Sequence, residues 1–329
     1  MALDRSGAVH WSRDLKDSGL AVADLASAYV STAGWLSVNH PGPNPTTSMA
    51  GDSMVFLDLR NPSTPPRTIE GYVDQRTWSP DGRLLFVMMA TVDSPTGRGV
   101  VIDPATGSML TLASVSPPGG GPDPVWAADG TGLLYMDRSN RPTAVTPIDG
   151  SPLRPGVPAL WFRYSRYIAE GGSWIAQGAC QPCGPQVSQA GDQQVLRISD
   201  SAATVTWYDH DLPKLQLVDT SLTVDGKAAW LLLTSSTGAP ALTLARADAA
   251  RQTSQISTTP VDSAPKNGWG IVGVAPDDSA LVAAADTAPD GASTPAFTEY
   301  LLRTDGSAGL HLDGSFAGWV PSSLVENLP

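Results

Sequence analysis

Nine residues of this 329-residue chain have the types and positions to serve a ligand: Asp74, Arg76, Asp123, Arg163, Tyr164, Arg166, Asp219, Asn267 and Trp269. Each stands a few residues ahead of a large apolar residue that ends a short strand pattern. Asp74, Gln75 and Arg76 precede Trp78, and Asp123 precedes Trp126. Arg163, Tyr164 and Arg166 precede Tyr167, Asp219 precedes Leu222, and Asn267 with Trp269 precedes Val274. A carboxylate facing a guanidinium can move a proton while an anion is held. Tyr and Trp add the apolar walls that ligand pockets combine with a few polar groups. The same Asp and Arg residues can instead neutralise one another and tie neighbouring strands together. Strand alternation lets only about half of them face one side.

Other candidates are weaker. Cys180 and Cys183 lie in the loop-like stretch QGACQPCGPQ. A thioredoxin-type dithiol needs a helix after its first Cys, and Pro182, Gly184 and Pro185 argue against one. A small-loop disulfide is expected, with two free thiols or a metal or redox pair as alternatives. It would place the chain in an oxidising compartment. Gly51-Asp52-Ser53 shares its letters with the first block of GDS-type esterases but has no downstream Asp-x-x-His, so it reads as a turn opening a strand. Tyr208-Asp209-His210-Asp211 offers metal-ligating atoms, yet adjacent residues rarely converge on one ion, and Pro213 marks a surface connection. There is no G-x-S-x-G elbow, P-loop, H-E-x-x-H or EF-hand loop. No catalytic residue, metal site or cofactor is therefore assigned, and the chain leans away from an enzyme.

The elements that must position these residues emerge from composition and repetition. Of 32 acidic residues 28 are Asp, and of 20 basic residues 16 are Arg. So few Glu and Lys cannot solvate a set of amphipathic helices, whereas Asp favours caps and turns. Gly and Pro number 61, above the average share but below that of disordered chains. Three segments share a pattern: WSPDGRLLFVMM (78–89), WAADGTGLLYM (126–136) and VAPDDSALVAAA (274–285). Each is a short strand ending in a large apolar residue, an Asp/Gly turn of the two-residue hairpin kind, and a strongly apolar strand. With the turn residue as a ruler, anchors fall at 34, 82, 130, 171, 226, 278 and 323. Four residues before them stand Val30, Trp78, Trp126, Tyr167, Leu222, Val274 and Trp319, all large and apolar. A unit of about 40–50 residues with room for four short strands is the size of a propeller blade. The expected fold is all-β, one β-propeller domain over 1–329. Seven blades of four antiparallel strands are expected, with six as the alternative. C-terminal strands (314–328) would pair with N-terminal ones (8–15 and 20–24) to complete the seventh.

The WSPDG-strand-strand-D-x-x-TG arrangement at 78–107, repeated less fully at 126–150 and 274–306, resembles the TolB-like, WD-repeat-related β-propeller family. That resemblance implies an extracytoplasmic module that binds proteins, or an accessory domain of a peptidase whose catalytic domain is absent here. A net charge of −12 argues against nucleic acid, and no apolar run approaches a membrane span. The reading that follows is a non-catalytic binding or scaffold module, monomeric, taking a protein, peptide or small ligand at the channel mouth. A hydrolase or lyase in that mouth, and a sensor ectodomain of a membrane-anchored protein, are the alternatives. An extracytoplasmic place is expected, with a leader or anchor upstream of Met1; the cytoplasm is the other option.

Overall fold

The computed structural model describes residues 2–3, 6, 8–12, 20, 24, 27–42, 51–61, 63–91, 94–112, 125–126, 130–134, 146–149, 164–168, 173–177, 193–198, 203–208, 212–223, 227–235, 238–248, 252–262, 268–287 and 297–328. A short ribbon, β1 (Ala2–Leu3) and β2 (Val9–Trp11), comes first. Six antiparallel meanders follow, each with its strands in chain order. The first holds β3 (Tyr29–Val30), β4 (Trp35–His40), β5 (Ser53–Asp58) and β6 (Arg67–Glu70). The second holds β7 (Tyr72–Trp78), β8 (Leu85–Thr91), β9 (Ser94–Asp103) and β10 (Ser108–Leu112). In the third, β11 (Val125–Trp126), β12 (Gly132–Leu134) and β13 (Thr146–Pro147) are described. The fourth holds β14 (Tyr164–Ile168), β15 (Ser173–Gln177), β16 (Gln193–Ile198) and β17 (Ala203–Tyr208). The fifth holds β18 (Leu215–Leu222), β19 (Ala228–Ser235), β20 (Ala241–Asp248) and β21 (Thr253–Pro260). The sixth holds β22 (Gly270–Val274), β23 (Ala280–Asp286), β24 (Phe297–Arg303) and β25 (Leu310–Leu312), and one helical turn, α1 (Ser322–Val325), ends the chain.

The second strand of a sheet reads as a continuous apolar run because both of its faces are covered. In β8, Leu85, Val87 and Met89 pack with Trp35, Met54, Phe56 and Ile69 of the first sheet. The alternate residues Phe86 and Met88 pack with Trp126 and Leu133 of the third. Likewise Trp230 and Leu232 of β19 meet Ile271, Leu281 and Ala283 of the sixth sheet, while Leu231 and Leu233 point the other way. The sheets are therefore stacked face to face, with first strands side by side: β7 by β11, β11 by β14, and β18 by β22.

The turn ruler holds at every described anchor inside a sheet. Gly34, Gly82, Gly130 and Asp278 all have positive φ, at 85°, 70°, 71° and 57°. The turns are longer than the two-residue hairpins expected, however. Ser79 N–H reaches the Leu84 carbonyl at 2.8 Å, enclosing four residues, and Gly82 N–H closes on the Ser79 carbonyl at 2.8 Å. Pro80 and Asp81 thus occupy the centre of a turn that Gly82 ends. Asp81 locks it, accepting from Ser79 Oγ at 2.6 Å and from Arg83 N–H at 3.1 Å.

The C-terminal strands expected of the seventh unit are corrected. Its anchor, Ser323, lies inside α1, and no strand occurs in 313–328. The N-terminal ribbon pairs with itself rather than with that segment. The physical reason lies at Pro321-Ser322-Ser323, which has no Gly or Asp to take a positive-φ position. Pro321 instead starts a helical turn at φ −61° and ψ 143°.

Candidate functional site

Several first strands are bulged near their starts. In β7 the pairing runs Val73 to Met89 and then Arg76 to Val87, so Asp74 and Gln75 fill the space of one residue. In β18 it steps from Leu217–Leu233 to Asp219–Leu232, with Val218 extra. In β22 it steps from Ile271–Ala283 to Gly273–Val282, with Val272 extra. A bulge turns side chains out of the ladder, and bulges recur beside binding sites. The extra Val272, on the edge strand of its sheet, is 52% exposed.

The residues flanking these bulges bind neighbouring sheets. The Arg76 guanidinium donates to the Ser27 carbonyl and to Asn39 Oδ1 at 3.3 Å, and lies 5.7 Å from the centre of the Tyr29 ring. Asp219 is fully buried; its Oδ1 accepts from Thr220 N–H and its Oδ2 from Ile271 N–H of the sixth sheet, each at 2.9 Å. Trp269 is 5% exposed, stacked edge-on at 5.6 Å against Tyr300 in the core between the fifth and sixth sheets. Of the sequence candidates, then, Arg76 and Asp219 tie sheets and Trp269 fills a core. Asp74 sits in the β7 bulge, while Tyr164 and Arg166 lie in β14 opposite Gln177 and Ile175. Asp123, Arg163 and Asn267, and the pair Cys180 and Cys183, lie outside the described residues.

Beside Arg76 the structure assembles a polar group that sequence reasoning missed. His40, at the end of β4, carries Nδ1 2.8 Å from Oδ2 of Asp24. Asp24 is buried, and His40 is 42% exposed. Ser27 Oγ donates to the Asp24 carbonyl at 2.8 Å and accepts from Asn39 N–H at 2.9 Å, and Asn39 Nδ2 donates to the Val73 carbonyl at 3.4 Å. The buried Asp52 carboxylate takes Gly42 N–H at 2.6 Å. A His held at one nitrogen by a buried carboxylate keeps its tautomer fixed and its other nitrogen outward. The separation of Asp24 and His40 in sequence gives no spacing signal. The position of Asp24 ahead of β3 and the length of β4 bring them together. No group of three or more metal-ligating side chains occurs among the described residues.

Two other carboxyls stand out. Burial pushes the Glu299 carboxyl up from its ordinary value, partly offset by the Phe316 N–H, which donates to Oε2 at 2.6 Å. Burial also pushes Asp81 up, but the Ser79 and Arg83 hydrogen bonds and the Arg83 charge reverse that and leave it lowered.

No family model matches the chain, and no curated protein matches it. Solved structures do. An oligogalacturonate lyase in complex with manganese is 14% identical, with a TM-score of 0.53, covering 86% of this chain and 75% of that one. TolB from Acinetobacter baumannii is 15% identical, with a TM-score of 0.46, covering 84% of this chain. The β-propeller domain of the trilobed protease from Pyrococcus furiosus is 15% identical, with a TM-score of 0.45, covering 88% of this chain and 97% of that one. The chain spans 62% of the length of that TolB. The likeness is one of fold: stacked antiparallel meanders in a β-propeller arrangement. No helix among the described residues is long and apolar enough to cross a membrane.

Proposed function

We propose that this β-propeller is a non-catalytic binding module working outside the cytoplasm, and that a protein, peptide or small ligand docks at the end where the bulged first strands begin. The observation that carries this is the recurrence of the bulge in the second, fifth and sixth sheets. A flat ladder would serve stacking alone. A bulge buttressed by an inter-sheet bond, as Arg76 and Asp219 provide, holds the neighbouring side chains out of the ladder in a fixed direction. Asp74, Asp123, Arg163, Tyr164, Arg166 and Asn267 are the proposed ligand contacts, with Arg76, Asp219 and Trp269 holding the frame. A thermal-shift panel of acidic oligosaccharides and short peptides, run on wild type and on an Arg163→Ala/Arg166→Ala variant, tests the proposal. A stabilising ligand lost with both arginines supports it. A panel with no stabilising member, or one bound equally by the variant, counts against it.

A second reading, a hydrolase or lyase at the same end, is favoured by one observation: the half-exposed His40 imidazole held by buried Asp24. Such a pair is arranged to accept a proton at its free nitrogen. Ultraviolet absorbance of an unsaturated product, followed on oligogalacturonate with and without manganese, separates the two. Turnover that His40→Ala abolishes would replace the binding-module reading.

A further inference from the structure

The first and sixth sheets each have a face that no other sheet covers among the described residues. On the first sheet it is Leu36, Val38, Leu57 and Leu59, and on the sixth Ala275, Ala280, Val282 and Leu301. All eight are nonetheless buried. The segment after β25 supplies part of the cover, with Leu20 also on the first-sheet face. Phe316 and Trp319, edge to face at 5.3 Å, lie on the sixth-sheet face, and Leu328 lies on the first.

The segment is also bonded to both sheets. Phe316 N–H donates to Glu299 Oε2 of β24 at 2.6 Å, and Val30 N–H of β3 donates to the Ala317 carbonyl at 2.8 Å. The approach is too close for side chains at two glycines. A Cβ on Gly273 would stand 2.5 Å from Phe316 Cε1 and 3.0 Å from Trp319 Nε1, and one on Gly318 would stand 2.9 Å from Val30 Cγ1.

Yet the hold differs in kind from that between sheets. Residues 316–320 are only half-buried, and α1 has no buried residue and no side-chain cap. Trp319 stands at the repeat position of Trp78 and Trp126. Their indole N–H groups reach the carbonyls of Tyr29 and Thr77, at 3.2 and 2.9 Å, 49 residues back in each case. The Trp319 indole N–H is buried and has no acceptor among the described residues. Segments with few buried contacts and incomplete hydrogen bonding open at lower free energy than the body of a fold.

We propose that residues 314–328 are a strap that joins the first and sixth sheets, and that it lifts from the seam as a unit while the sheets stay folded. Lifting would break the Val30 and Phe316 bonds together and uncover the apolar surface that Phe316, Trp319 and Leu328 occupy on the two faces.

Hydrogen–deuterium exchange of the full chain, read by mass spectrometry, tests this. The amides of Val30, Phe316 and 324–328 should exchange at least tenfold faster than those of β8 and β19. Their rates should also stay flat in urea too dilute to affect the sheets. Trp319→Ala should raise the Val30 and Phe316 rates about another tenfold and leave β8 and β19 unchanged. Three results would overturn the strap: seam amides as slow as those of β8 and β19, a Trp319→Ala effect spread equally over all sheets, or no effect at Val30.

Discussion

Replacing Asp219 with Ala should cost stability because of a bond that crosses between sheets. The carboxylate is fully buried and accepts from Thr220 N–H in its own strand and from Ile271 N–H in the next sheet, both at 2.9 Å. Removing it leaves two buried N–H groups without these acceptors. Each orphaned donor costs about 1–3 kcal/mol, so the loss is about 2–6 kcal/mol before compensation. Part is returned because a carboxylate no longer has to be held away from water. A net loss of about 4 kcal/mol is expected. With about 2.1 cal/mol/K of unfolding entropy per residue over 329 residues, that lowers Tm by roughly 6 °C. Asp219→Asn keeps one acceptor oxygen and should lose about half as much. Urea denaturation of the three proteins measures the difference directly. An Ala variant within about 1 kcal/mol of wild type would refute the inter-sheet role and return Asp219 to the proposed ligand contacts.

Three further outcomes are expected. Gly82→Ala and Gly130→Ala place a side chain at nearly the same positive φ, 70° and 71°, but a Cβ at 82 would stand 2.5 Å from Ala33 N, while at 130 nothing among the described residues lies within 4 Å. Chemical denaturation should show Gly130→Ala losing about 1–2 kcal/mol, the left-handed backbone cost alone, and Gly82→Ala clearly more. Trp126→Phe should lose about 1–3 kcal/mol by taking the indole donor from the Thr77 carbonyl, Trp78→Phe less because the Tyr29 carbonyl also accepts from Ser37 Oγ at 3.1 Å, and Trp319→Phe, whose indole N–H has no described acceptor, less than Trp126→Phe. Because burial raises the Glu299 carboxyl above its ordinary 4.5, the folded chain keeps that proton where the unfolded chain has released it. Its contribution is then fully present below about pH 4.5 and is lost as pH rises through the raised value. Stability relative to Glu299→Gln, measured from pH 4 to 7, should therefore fall with rising pH; a flat or rising difference would contradict the burial effect.

The fold was legible where backbone geometry restricts residue choice. A positive-φ turn position admits Gly, or Asp as at 278, so anchors at 34, 82, 130 and 278 could be read from letters alone. The Trp four residues earlier was equally visible, as a large ring that fills a core and whose N–H crosses to the next sheet at 78 and 126. The same cue misled at Trp319. There the ring is kept and packs on the sixth sheet, but Pro321 replaces the turn with a helical one. The site was less legible because its partners are backbone atoms. Nothing in the sequence marks Ile271 N–H as the donor to Asp219, or the Ser27 carbonyl as the acceptor for Arg76.

The separations of these bonds carry a rule for where function belongs on such a chain. Trp78 to Tyr29 and Trp126 to Thr77 span 49 residues, Trp230 to Asp278 spans 48, Thr259 to Gly309 spans 50, and Asp219 to Ile271 spans 52. Those are the spacings of the repeat itself. A polar residue that reaches one period away joins one sheet to the next, and substitution there should register as lost stability. The residues that break the period are different. Asp74 and Gln75 crowd into a bulge, and Asp24 meets His40 only 16 residues away, within the first unit. Variants at Asp74 or His40 that leave denaturation midpoints unchanged and still alter binding or turnover would locate the working surface on the irregular residues rather than on the repeated ones.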